Sequence, residues 1–247
     1  MNMHHKLWLP NGEGGKEYLT QLPYYKARRT LGVWQAADGN ERKQTEVMKA
    51  KALKWSRNVR TGFLSRTDIV FGVKTSLYPS ITYGLMATAL NRKQANDVFK
   101  PIRRHALSPM GYNRNIPAEI VHGPSKYGGM GLQDIYTVQG IEHIKVLLDE
   151  MHSNSPTGKL LRILHQEHQL ESGRRTTLYH TPYDEISSYL TKSWVTNTLE
   201  FVWDTKLQIE GDLPILETWR EGDNHLMEAF QRTPGYTISD GDLAAAN

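Results

Sequence analysis

Cysteine is absent from all 247 residues. This excludes a disulfide framework and any cysteine-based zinc site, and it fits a reducing compartment. No apolar run reaches the length of a membrane span. The best stretch, Ile69 to Leu90, is broken by Lys74 and Pro79 and is rich in hydroxyls, so it reads as buried core. The first residues do not follow the secretory pattern of a basic start and an apolar centre. Nucleotide-binding glycine spacings, the H-E-x-x-H zinc pattern and the G-x-S-x-G nucleophile elbow are all missing. His165-Gln166-Glu167-His168 has the wrong spacing for that zinc pattern and no evident third ligand. No metal, cofactor or catalytic residue is assigned.

Hydrophobic residues make up 38% and charged residues 23% of the chain. That is slightly polar for a globular protein but not a disordered composition. The net charge of +4 is mild; its distribution is not. From Lys26 to Arg66 there are eleven Lys or Arg against three acids, a local +8. From Leu199 to the end there are three bases against ten acids, a local −7. Such asymmetry suggests a basic front that meets a polyanion and an acidic rear. The acidic stretch from Glu210 to Asp242 reads as solvated surface, with shielding of the basic front as the rival reading.

The pattern along the chain predicts a mainly α fold: a helical, bundle-like body with a small antiparallel β element near the N-terminus. Short runs at 6–9, 17–20 and 31–34, separated by turn residues, make that β element. Met48, Ala52, Trp55 and Val59 form one helical stripe within 41–59, with Lys43, Lys54, Arg57 and Arg60 opposite. Ser65 to Asp68 is a capping-box start, for a helix that should end near Tyr78 because Pro79 follows. Further helices are expected over 91–107, 134–152, 157–170 and 183–205, with a kink at Pro101. Three regions result: 1–40, a small β element; 41–152, a helical region with a glycine-rich loop at 123–132; and 153–247, helical and then acidic and irregular.

The sharpest motif is Tyr127-Gly128-Gly129-Met130-Gly131-Leu132-Gln133-Asp134-Ile135, followed by Gln139. It resembles the "GGLGI-x-D-L" element that follows palm and thumb in non-LTR retrotransposon reverse transcriptases. Ala27-Arg28-Arg29-Thr30-Leu31-Gly32-Val33 with Asp38-Gly39-Asn40 is similar to the passage that leaves the palm in that class. Asn113-Arg114-Asn115-Ile116-Pro117 and Val121-His122-Gly123-Pro124 follow in the family's order. The resemblance covers roughly residues 20 to 150 and rests on the order of short motifs. It implies a thumb and connection region that holds RNA–DNA hybrid or structured RNA, working inside the cell, in cytoplasm or nucleus. An upstream palm would act in trans or in a parent protein.

The family's adjacent metal-binding aspartates have no counterpart: no Asp-Asp pair occurs in the chain. The chain therefore looks like a fragment that begins after the catalytic turn, and it is not expected to polymerise DNA alone. Its ending at Ala244-Ala245-Ala246-Asn247 suits a gene fragment too.

The candidate nucleic-acid-binding residues are Lys43, Lys54, Arg57, Arg60 and Arg66, with Arg103, Arg104, Arg114 and Lys126 as a second group. Trp34, Trp55, Tyr112 and Tyr127 are interleaved as stacking candidates. Gly123, Gly128, Gly129 and Gly131 are assigned a structural loop role. The competing reading is a solvated helix face with core aromatics, and it leads for Trp55, which lies on the apolar stripe. At the level of function the rivals are a domesticated helical protein-interaction module and a non-functional remnant.

Overall fold

A computed structural model describes residues 8–10, 15–18, 22–174 and 177–210. The expectations for residues 6–7, 11–14 and 19–20 and for the acidic tail beyond 210 lie outside the described residues. The fold is mainly α, with a small antiparallel element at its N-terminal end. Strands β1 (Trp8–Pro10) and β2 (Lys16–Tyr18) form one hairpin. Strands β3 (Arg28–Thr30) and β4 (Val33–Gln35) form a second. In the β3–β4 turn, Leu31 and Gly32 have φ of 48° and 93°. A left-handed pair of this kind matches the twist of a two-residue hairpin, at a steric cost for the leucine. The hairpin docks on the first helix through buried Val33 and through Trp34 N, which donates to Gln44 Oε1 at 3.0 Å.

Helix α1 (Arg42–Thr61) buries Gln44, Met48, Ala52, Ser56 and Val59, and Trp55 packs half-buried on the same core. The predicted stripe is thus its inner face. Helix α2 (Arg66–Gly72) begins at the Ser65–Asp68 capping box. It does not end before Pro79. A π turn (Val73–Leu77) carries it into α3 (Tyr78–Thr82). Proline lacks an N–H and its ring collides with the carbonyl four residues back. A wider turn relieves the collision: Tyr78 N–H reaches Val73 O, five residues earlier. The hydroxyls of Thr75, Ser80 and Thr82 donate to the Phe71, Leu77 and Tyr78 carbonyls around the irregularity.

Trp55 lies against Gly72, and Lys51 Nζ donates to Ser80 O. The α2–α3 segment therefore runs back along α1, and α4 (Arg92–His105) starts beside the beginning of α1. It opens at the Asn91–Gln94 capping box and contains Pro101. Helices α5 (Ala118–His122), α6 (Ile135–Met151), α7 (Pro156–Glu171), α8 (Tyr183–Ile186) and α9 (Trp194–Thr205) follow. The expected single helix over 183–205 is thus two. Its hydroxyl-rich middle favours local hydrogen bonds, and Ser193 opens a new helix with a capping box to Thr196.

Helix α6 is the spine. Ile135 and Tyr136 at its start join the first core with α1 to α5, while Leu147 and Met151 at its end join a second core with Leu161, Leu178, Val195, Leu199 and Val202. Ile144 touches both. Between the cores lies a satisfied polar network. Gln139 Oε1 accepts from Leu90 N at 3.0 Å, and its Nε2 donates to Leu90 O and to Asn197 Oδ1, each at 2.9 Å. His143 Nε2 donates to Thr88 O at 2.8 Å, and its Nδ1 accepts from the Thr198 hydroxyl at 3.2 Å. Burial, outweighing the two carbonyls that favour the charged ring, pushes the His143 pKa down to about 4, so the ring is neutral.

Candidate nucleic-acid interface

Helices α1 and α4 lie side by side in the same direction. At their starts Glu41 Oε1 accepts from Ala89 N at 3.1 Å. Midway, Lys49 of α1 lies near enough to Asp97 of α4 to help lower its pKa. Towards their ends, Arg57 and Arg60 of α1 lie near His105 of α4. The register offset stays near 48 residues, so side chains far apart in sequence share one strip.

That strip is basic. On α4, Lys93, Asp97, Lys100 and Arg104 follow at four, three and four residues and occupy one face. Lys49 and Arg60 line the flank of α1 towards α4 by the same arithmetic, and Arg57 stands next to them on the outer face, within reach of His105. The one acid among them, Asp97, is held below the ordinary carboxylate range first by its hydrogen bond from Lys100 and then by the charges of Lys100, Lys49 and Lys93. His105 is held below the ordinary imidazole range by burial and then by Arg60, Arg57 and Arg104. Among the described residues no carboxylate pairs with Arg57, Arg60 or Arg104. Their field is available to a polyanion.

The sequence candidates divide. Arg57, Arg60 and Arg104 come together. Lys43 and Lys54 stand exposed on the outer crest of α1, where Lys43 pairs with Glu46 at 3.5 Å and lies 5.8 Å from the Trp34 ring centre. Arg66 is exposed and sits beside Gly111. Arg103 points to the flank of α4 away from α1 and is engaged: its Nε and Nη2 donate to the carbonyls of Arg114 and Ile116 at 3.1 and 2.6 Å. It anchors the 106–117 connection. Arg114 and Lys126 are exposed beyond that flank, Lys126 lying 4.6 Å from the Tyr127 ring centre. Tyr112 and Tyr127 are exposed, whereas Trp55 belongs to the core edge. Lys49, Lys93 and Lys100 were not among the candidates, although the α4 face of Lys93, Lys100 and Arg104 was a readable signal.

The glycine-rich loop is a closed structural element. Tyr127 N, Gly128 N and Gly129 N donate to Pro124 O, Ser125 O and Pro124 O. Met130 N, Gly131 N and Leu132 N reach back to Ile120 O, Gly123 O and Val121 O. The six amides from Tyr127 to Leu132 are thus spent internally and are not turned outward to cradle a phosphate. Gly129 is forced by a close approach: a Cβ there would lie 2.1 Å from Gly123 O.

Both histidines of the 165–168 run are buried. His165 stacks on Tyr179 with ring centres 5.6 Å apart. His168 bridges Glu171 Oε2 and Ser193 Oγ at 2.8 Å each, which ties the end of α7 to the start of α9. Among the described residues no group of three or more His, Asp or Glu is placed to hold a metal ion, and no helix is long and apolar enough to cross a membrane.

No protein-family profile, curated protein or solved structure matches this chain. The reverse-transcriptase resemblance therefore rests on the motifs and their order alone.

Proposed function

We propose that this chain is a post-palm, thumb-like fragment of a retroelement reverse transcriptase that binds nucleic-acid duplex, either RNA–DNA hybrid or structured RNA, without polymerase activity of its own. The observation that carries the reading is the parallel register of α1 and α4. It gathers Lys49, Arg57, Arg60, Lys93, Lys100 and Arg104 around His105 and Asp97. The ordered motifs from Ala27 to Gln139 support the family assignment.

The test is fluorescence anisotropy of a labelled RNA–DNA primer–template across a salt series. Log affinity should fall with log salt at a slope of about 0.9 per phosphate contact on B-form duplex, with several contacts. Absence of binding at low salt overturns the reading. Primer extension by the purified chain with magnesium overturns the claim that it does not polymerise.

One observation favours a second reading, a protein-interaction module. Leu160, Ile163 and Leu170 stand 53–61% exposed along one face of α7. Salt-insensitive capture of a protein partner with no duplex binding would select it. Loss of any cooperative thermal transition would point instead to a non-functional remnant.

A further inference from the structure

The joint between α1 and α2 carries the most exposed aromatic side chain in the described structure. Phe63 is fully exposed and Leu64 is 53% exposed. The joint is held at both ends. Gly62 N donates to Asn58 O at 2.9 Å and closes α1. Ser65 opens α2 with its capping box, Ser65 N and Asp68 N each bonding the other residue's side chain. Only Phe63 and Leu64 lie between the capping residues Gly62 and Ser65, so the ring is presented from a short, fixed turn. Pre-organisation of this kind removes ordering cost from binding.

Its surroundings are cationic. Arg60 lies three residues before Phe63, in the last turn of α1. Arg57 and Arg104 share the His105 neighbourhood with Arg60, and Arg66 starts α2. An exposed aromatic ring with an arginine three residues to either side matches the end of a nucleic-acid duplex. There a terminal base pair presents a bare π face, and the last phosphates of both strands lie around it.

Building on the duplex-binding reading, we propose that Phe63 caps an open duplex end by stacking on the terminal base pair, while Arg57, Arg60 and Arg104 hold the flanking phosphates. The site would thereby recognise a terminus rather than the interior of a duplex.

The test uses the purified full chain and two RNA–DNA hybrid stems of the same sequence, one a hairpin with a blunt end and the other a dumbbell with both ends closed by loops. Wild type should bind the blunt-ended stem roughly tenfold more tightly, within the range that stacking of one base supplies. Phe63→Ala should remove that preference and leave dumbbell affinity unchanged. Phe63→Trp should keep it. Because Phe63 is fully exposed and belongs to neither core cluster among the described residues, the melting temperature should not move.

Dumbbell binding with no end preference in wild type overturns this inference alone. So does an equal loss on both stems in Phe63→Ala, or Phe63-dependent flotation with phosphatidylserine vesicles in place of end preference. Failure to bind either stem at low salt overturns the duplex-binding reading, and the inference with it.

Discussion

Gly140 lies flat against the ring of Phe201: a β-carbon at residue 140 would come within 2.3 Å of two ring atoms. Phe201 is itself buried, edge-on to Tyr136 at 5.4 Å between ring centres. The contact lets α6 and α9 approach closely enough for Gln139 and Asn197 to share Leu90 O. Gly140→Ala should therefore destabilise the protein despite alanine's better helix propensity. Overpacking costs about 1–3 kcal/mol, against a gain of about 1 kcal/mol at most from propensity. Urea denaturation of Gly140→Ala, Phe201→Leu and the double variant checks it. The double variant should recover part of the loss. Additive losses would mean that the two residues do not meet.

Two buried groups oppose each other in pH. Glu41 Oε1 accepts from Ala89 N, while Oε2 is buried without a partner among the described residues. Burial, only partly offset by that hydrogen bond, pushes its pKa from 4.5 up to about 7. The folded state thus holds a proton that the unfolded state releases. The associated stability is complete below about pH 4.5 and is lost as pH rises through about 7. His143 has the opposite sign, because its pKa falls from 6.5 to about 4. Its contribution is complete above about pH 6.5 and is lost as pH falls through about 4. Each is worth on the order of 1–3 kcal/mol. Relative to wild type, Glu41→Gln should gain stability between pH 5 and 8, in denaturant titrations at fixed salt. A pH-independent difference between the two proteins would refute the assignment.

Much of the fold was legible because local chemistry dictates it. Ser65 and Asn91 each carry a side chain that reaches the third residue on, so both helix starts could be read directly. The 48-59 stripe gave the inner face of α1. Pro79 misled, because a single π turn accommodates it within a longer helix. The candidate interface was only half legible. Arg57, Arg60 and Arg104 stood out as basic, but Lys49 joins them only through the parallel register of two helices some 48 residues apart in sequence. Arg103 looked equivalent to Arg104, yet one residue turns a helix by about 100°, and that turn carries it to backbone carbonyls instead.

The glycine-rich loop separates two kinds of glycine. Gly128 has φ of 84° with open space around it, whereas a β-carbon on Gly129 would collide with the backbone of Gly123. Gly128→Ala should cost about 1 kcal/mol, the strain of a left-handed alanine. Gly129→Ala must break the return of Gly131 N to Gly123 O or move the whole loop, and should cost about 3 kcal/mol or more. Thermal melts of the two variants give the order. Equal losses would show that Gly123 and Gly129 do not pack together.

Neighbouring arginines should dissociate stability from binding. Arg103→Ala removes the donors to Arg114 O and Ile116 O, at about 1–3 kcal/mol for carbonyls left without a charged partner. Its effect on duplex affinity should be small once measurements are made well below the melting transition. Arg57→Gln with Arg60→Gln leaves the exposed face of α1 folded, so the melting temperature should hold within a degree or two. The salt slope of duplex binding should drop by close to two contacts' worth, about 0.9 for each on B-form duplex. His105 supplies an internal check on the same variants. Arg60 and Arg57 help to depress its pKa, so its imidazole titration, followed by NMR, should move upward in the double variant and stay where it is in Arg103→Ala. An unmoved His105 together with an unchanged salt slope would mean that these cations do not form one surface with α4.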